Sequence, residues 1–192
     1  MHVAFVAYDG MTALDFVGAF DPVTRVETMG YAPLDWDVCA PAETVTATGA
    51  LALDVDAVDQ SLSGYDMLVV PGGMETRELI EQESFVDWLA IGRDADVVAS
   101  VCTGSLLLGA AGMLDGRRAT THPSAYDRLE EYCEVLPERV VDEGDLVTAR
   151  GVTSALDLGL RLAERLTDAE TRAEIATQMD YPHYDPAAVV TR

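Results

Sequence analysis

The sequence predicts an α/β domain whose mostly parallel sheet is covered by helices on both faces. Three observations predict it. Short apolar runs at 3–8, 66–70 and 96–101 alternate with stretches of helical periodicity, at the spacing of β–α–β units. The first run stops at Asp9-Gly10 and the second closes sharply at Pro71-Gly72-Gly73, as strands ending in turns do. No internal repeat, low-complexity stretch or linker interrupts the 192 residues, so a single domain is expected, with its core over about 1–180 and a C-terminal tail over 181–192.

In chain order, 3–8 reads as a buried strand and, after the Gly10 turn, about 12–28 as a helix. Residues 35–40 form a second strand, and 44–53 a pair of short strands around Gly49. The strand 66–70 is followed by helical stretches near 75–81 and 84–92. The run 96–101 is strand-like, and 103–111 continues it as a helix. A short helix is expected near 124–131, strands at 140–142 and 146–149, and two closing helices at 152–166 and 169–179.

Charge narrows the partners. There are 34 acidic residues against 12 basic ones, a formal net charge of −22, and every basic residue is arginine. Nucleic acid and anionic membranes would be repelled rather than steered in. Self-repulsion on this scale suits concentrated salt, where the Debye length shrinks to about 3 Å at 1 M, so a halophilic origin is expected. No segment approaches the ~20 apolar residues of a membrane span, and the N-terminus lacks the pattern of a secretory signal. Cys39, Cys102 and Cys133 form no CxxC pair, so reduced thiols in a cytoplasm are expected. His2, His122 and His183 show no ligand spacing, and neither a metal nor a cofactor is expected.

In an open parallel sheet, ligands bind outside the carboxyl ends of the strands. Asp15, Pro71-Gly72-Gly73 and Cys102-Thr103-Gly104 all follow strands, so a carboxylate, a glycine-rich backbone and a thiol should converge at one edge. Cys102 stands at a strand-to-helix junction flanked by small residues, the arrangement of a nucleophile elbow. A helix start favours thiolate, so its thiol should fall below the ordinary range, while an ionised Asp15 pushes the other way. Asp15 also completes a capping-box pattern with Thr12, a purely structural alternative. Gly72 and Gly73 offer backbone N–H groups to an oxyanion or remain a plain turn. Cys39 and Cys133 read as packing residues, and His183 as a residue of the tail.

Together these segments resemble the DJ-1/PfpI superfamily. The likeness rests on Asp9-Gly10 with Leu14-Asp15-Phe16-Val17-Gly18, on Val69-Val70-Pro71-Gly72-Gly73, and on Ser100-Val101-Cys102-Thr103-Gly104-Ser105 with Leu107-Leu108-Gly109. Within it, Thr120-Thr121-His122 and Gly151–Ala155 with Asp157 resemble the isonitrile hydratase branch. The resemblance implies a flavodoxin-like three-layer sandwich, a homodimer, a nucleophilic Cys102, and Asp15 in place of the glutamate common in relatives. Thr103 stands where peptidase-like members carry histidine, which argues against proteolysis. His122 lies near the spacing of the histidine that accompanies the cysteine in DJ-1-like relatives, but Pro123 replaces the tryptophan common after it. The activity implied is hydration of a small isonitrile, with Cys102 attacking, Asp15 moving the proton, and the Thr103 and Gly73 amides orienting the intermediate. Two alternatives stay open. One is action on small dicarbonyls with His122 as base, and the other a redox- or ligand-sensing module using the same cysteine. In the enzyme readings Gly72, Gly73 and Gly104 contact substrate.

Overall fold

The apolar runs become the strands of one central sheet. The computed structural model describes residues 1–191. His2–Val6 forms β1 and Ala13–Thr28 forms α1. Asp35–Ala40 is β2, and Thr44–Ala47 (β3) and Leu51–Asp54 (β4) make an antiparallel hairpin that turns at Gly49. Ala57–Val58 (β5) and Met67–Val70 (β6) precede the short helices Thr76–Leu79 (α2) and Glu83–Ala90 (α3). Val97–Val101 (β7) leads through Cys102 and Thr103 into Gly104–Ala110 (α4). Arg118–Ala119 (β8), Tyr126–Leu129 (α5) and Glu134–Val135 (β9) follow, with β8 beside β9. Val140–Asp142 (β10), Leu146–Ala149 (β11), Ser154–Leu166 (α6), Ala169–Gln178 (α7) and Val189–Thr191 (β12) complete the order.

The sheet runs β12-β10-β11-β7-β6-β1-β2-β5, and every neighbouring pair is parallel except β10 with β11. This is the flavodoxin-like plan that the family resemblance implies. From β1 the chain moves outward to β2 and β5, then returns to β6 on the other side of β1. The β1/β6 boundary is therefore the topological switch point, where strand ends diverge and leave a crevice. Residues 7–11 and 71–73 border that crevice, and an isolated bridge joins Met11 to Gly73 across it.

Strands covered on both faces carry apolar side chains without alternation, and Val3–Val6 are accordingly almost wholly buried. α1 and α6 pack closely because residue 159 is glycine: a Cβ there would come within 2.8 Å of Pro22 Cγ and 2.9 Å of the Ala19 carbonyl oxygen. α7 joins this pair, while α2, α3 and α5 gather around α4. The buried Asp142 at the end of β10 accepts from Arg161 Nε and Arg165 Nη1, both at 2.8 Å, which fastens α6 to the sheet edge. A buried carboxylate needs such partners.

One expectation is corrected here. The segment from 181 onward is not a tail apart from the core, because Val189–Thr191 adds a parallel strand beside β10. Without it β10 would present an unpaired edge. Tyr181 anchors the same segment by donating its hydroxyl to Asp157 Oδ2 at 3.3 Å. Among the described residues, no helix is long and apolar enough to cross a membrane.

Candidate active site

β7 ends at Val101 and α4 begins at Gly104, so Cys102 must turn the chain within two residues. It does so with φ +56°, in the left-handed region that side-chain-bearing residues avoid at a cost of about 1–3 kcal/mol. Three hydrogen bonds hold it there. The Cys102 N–H donates to the Ala149 carbonyl at 2.9 Å, while its own carbonyl accepts from the Thr121 hydroxyl at 2.9 Å and the Ser105 hydroxyl at 3.2 Å. The strained elbow expected from the small flanking residues is present, and Cys102 is buried, 6% exposed.

Asp15 lies in the first turn of α1, wholly buried. Its Oδ2 accepts from the Gly72 N–H at 3.1 Å, and its Oδ1 is buried without a hydrogen-bond partner among the described residues. The capping-box alternative is not what forms, since the Thr12 side chain makes no cap hydrogen bond. Instead the Thr12 N–H donates to the Gly72 carbonyl at 2.8 Å. Both polar groups of Gly72 are thus bound by the start of α1. A side chain could not share this space, because a Cβ on Gly72 would stand 2.6 Å from the Thr103 nitrogen and 2.9 Å from Asp15 Oδ2.

Thr103 closes the arrangement from the other strand. Its hydroxyl accepts from the Gly73 N–H and donates to the Gly73 carbonyl, each at 3.0 Å. The expectation that Gly73 lends its amide to an oxyanion is therefore corrected. The Gly72 and Gly73 N–H groups are already committed to Asp15 and Thr103, and these glycines set the spacing of the site instead. Thr103, through its N–H and hydroxyl, favours the ionised form of Cys102. Gly104 is buried at the first turn of α4 against the carbonyls of Val70 and Pro71, a packing position.

The electrostatics reverse the expected thiol acidity. Burial first, and the Asp15 carboxylate second, push Cys102 up to about 12 despite the Thr103 contacts. Burial likewise lifts Asp15 from 3.8 to about 7, against the opposing hydrogen bonds from Gly72 and Cys102. α4, only seven residues long, does not outweigh desolvation. At neutral pH the pair holds a thiol facing a carboxyl poised to ionise.

Residues 1–165 match the DJ-1/PfpI family. The chain belongs to that family. It is 33% identical to the isonitrile hydratase of Pseudomonas putida over 202 residues, covering 99% of this chain and 87% of that protein. It is 30% identical to the HTH-type transcriptional regulator CdhR of Pseudomonas aeruginosa, spanning 91% of this chain but about half of that regulator. Among solved structures, a ThiJ/PfpI family protein from Pseudomonas syringae superposes with a TM-score of 0.85 at 28% identity, covering 96% of this chain and 76% of that one.

The remaining residues sort around this family site. Tyr8, the last residue of the first apolar run, is buried and donates to the Pro71 carbonyl at 2.8 Å, its phenol held well above the ordinary range by burial, then Asp15 and Cys102. The sequence reading passed over it, although its place at a strand's carboxyl end was the available signal. Thr121, which fixes the elbow, stands in the sequence only as part of the Thr120-Thr121-His122 motif, with no role read for it. His122 is less directly placed: its Nδ1 lies 2.8 Å from the Ser124 hydroxyl, capping a short turn. Cys39 and Cys133 are packing thiols, each raised by burial to about 11. His183 sits beside Tyr181, with ring centres 6.0 Å apart. Among the described residues no cluster of three metal-ligating side chains forms. A cleft of about 660 Å³ opens around His2, Trp36, Asp37 and Asp66 at the opposite, amino-terminal edge of the strands.

Proposed function

We propose that this protein adds water to a small isonitrile, R–N≡C, to give the N-substituted formamide. The observation that carries the proposal is a buried Asp15 carboxyl, raised to about 7 and without a cationic partner among the described residues, set against the Cys102 thiol. A thiol held above neutrality needs a base at hand, and a carboxylate near 7 is matched to that task. The identity with isonitrile hydratase over nearly the whole chain supports the same reading.

Ionised Asp15 takes the thiol proton as sulfur bonds to the terminal carbon, then delivers that proton to the same carbon. The product is a thioimidate, Cys102–S–CH=N–R. Asp15 next draws a proton from water as the water oxygen bonds to that carbon, and passes that proton to the nitrogen. The C–S bond then breaks, the carbonyl forms, and the proton from the hydroxyl restores the thiol. The sum is R–N≡C plus H₂O to R–NH–CHO. Thr103 holds Gly73, and its N–H supports the departing sulfur.

We place this chemistry in a homodimer working in a salt-rich cytoplasm, a setting suggested by the net charge of −22 and by Leu14 and Val17, which lie exposed on α1. The test is a substrate panel in molar KCl containing isonitriles, methylglyoxal and a peptide. Turnover confined to isonitriles is expected. Turnover of methylglyoxal alone would transfer the role of base to His122, and inactivity on all three would favour sensing.

A further inference from the structure

Arginine is scarce in this chain, and nearly every described copy is committed. Eight of the eleven described arginines pair with a carboxylate. Arg93 donates to two backbone carbonyls, and Arg77 lies against the Met74 sulfur. Arg150 is different. It is half-buried, and among the described residues its guanidinium has no polar partner; it stands only over the Tyr126 ring, 5.9 Å from the centroid. Among the described residues none of the 34 acidic side chains pairs with this cation.

Its location is specific. Ala149, the last residue of β11, accepts the Cys102 N–H at 2.9 Å, so Arg150 is the next residue at the edge where the elbow emerges. Tyr126 belongs to the segment that begins with Thr121, whose hydroxyl holds the Cys102 carbonyl at 2.9 Å. Both segments are thus tied to the peptide groups of Cys102 itself. A second observation points to a ligand: the Tyr126 hydroxyl is buried and has no hydrogen-bond partner among the described residues. Such an orphan is costly unless something fills its valence. The two segments lie close together: a Cβ on Gly151 would stand 4.0 Å from His122 Cδ2.

A planar guanidinium over the ring that carries an unpaired phenolic donor matches an anion of one charge with two coplanar oxygens. We propose that Arg150 and Tyr126 form a carboxylate-recognition subsite beside Cys102. Resting on the isonitrile reading, the substrate class becomes small isonitriles that carry a carboxylate, such as α-isocyano acids. With the protein at −22, an anion gains nothing from long-range attraction, so recognition acts through contact and survives molar salt.

Iodoacetate and iodoacetamide, which deliver a carboxylate or its neutral amide to the same thiol, test the subsite without requiring turnover. Their rates at Cys102, read by peptide mass spectrometry in molar KCl, give a ratio in which any general change in thiol reactivity cancels. The wild type should alkylate Cys102 faster with iodoacetate, whereas Cys133 in the same sample should prefer iodoacetamide. Arg150→Gln should lower the Cys102 ratio about tenfold. Arg150→Lys should recover part of it, and Tyr126→Phe should lower it by a smaller factor. A ratio unchanged in Arg150→Gln overturns the proposal. Isocyanoacetate against its methyl ester forms the second arm, with the acid favoured in the wild type and that preference lost in Arg150→Gln. If the alkylation ratio responds but neither isonitrile is hydrated, the subsite stands and the isonitrile reading fails. If both are hydrated while the ratio ignores Arg150, the hydratase reading stands and the subsite fails.

Discussion

Replacing Asp15 with asparagine should change the pH dependence of stability more than stability itself. Asp15 is wholly buried, and its carboxyl rises from 3.8 to about 7 on folding. Because the folded-state value lies above the unfolded one, the folded protein binds more protons, and stability is lost as pH rises from about 4 through about 7. At about 1.4 kcal/mol per pH unit, that loss is on the order of 4 kcal/mol in the wild type. Asparagine keeps an oxygen for the Gly72 N–H, 3.1 Å away in the wild type, but has nothing to ionise. Its amide hydrogens carry a constant penalty of about 1–3 kcal/mol wherever they lack acceptors. That penalty is independent of pH, so the difference between the two proteins isolates the carboxyl. Urea unfolding in molar KCl at pH 4.5 and pH 8 measures it. Asp15→Asn should gain several kcal/mol relative to wild type across that interval. Parallel curves would refute the view that burial dominates the environment of Asp15.

Four other outcomes follow from the same geometry. Asp15→Asn should speed alkylation of Cys102 at pH 8, where the wild-type carboxylate opposes the thiolate, with a smaller effect at pH 5.5; iodoacetamide rates with site mapping read this. In the wild type Cys133, raised only to about 11 and more exposed, should alkylate before Cys102, so order of labelling does not identify the nucleophile. Gly72→Ala places a methyl 2.6 Å from the Thr103 nitrogen and should cost about 1–3 kcal/mol by urea titration and abolish turnover. In dilute buffer the −22 charge should unfold the chain or dissociate the dimer, and circular dichroism with light scattering across a KCl titration would show either.

The sequence made the sheet legible because its strands are continuous apolar runs, and the elbow legible because Cys102 must fit between β7 and α4. What it hid was tertiary. The thiol's rise to about 12 comes from burial, which a local pattern cannot report, and a helix-start argument therefore gave the wrong sign. Asp15 read equally as cap or as functional carboxylate until its partner proved to be Gly72, 57 residues away. The amides of Gly72 and Gly73 looked available only because their acceptors lie on other elements. β5, β8 and β9 are two residues each, too short for periodicity, and β12 is three residues following a proline-rich stretch.

The central claim is that Cys102 bonds covalently to the substrate carbon while Asp15 carries the proton. Acid quenching during isonitrile turnover, followed by intact-mass and peptide analysis, tests it most directly. The account predicts an adduct on Cys102 equal in mass to the whole isonitrile, absent in Cys102→Ser, which should be inactive. Hydration that continues in Cys102→Ser, or an adduct confined to Cys39 or Cys133, would contradict it.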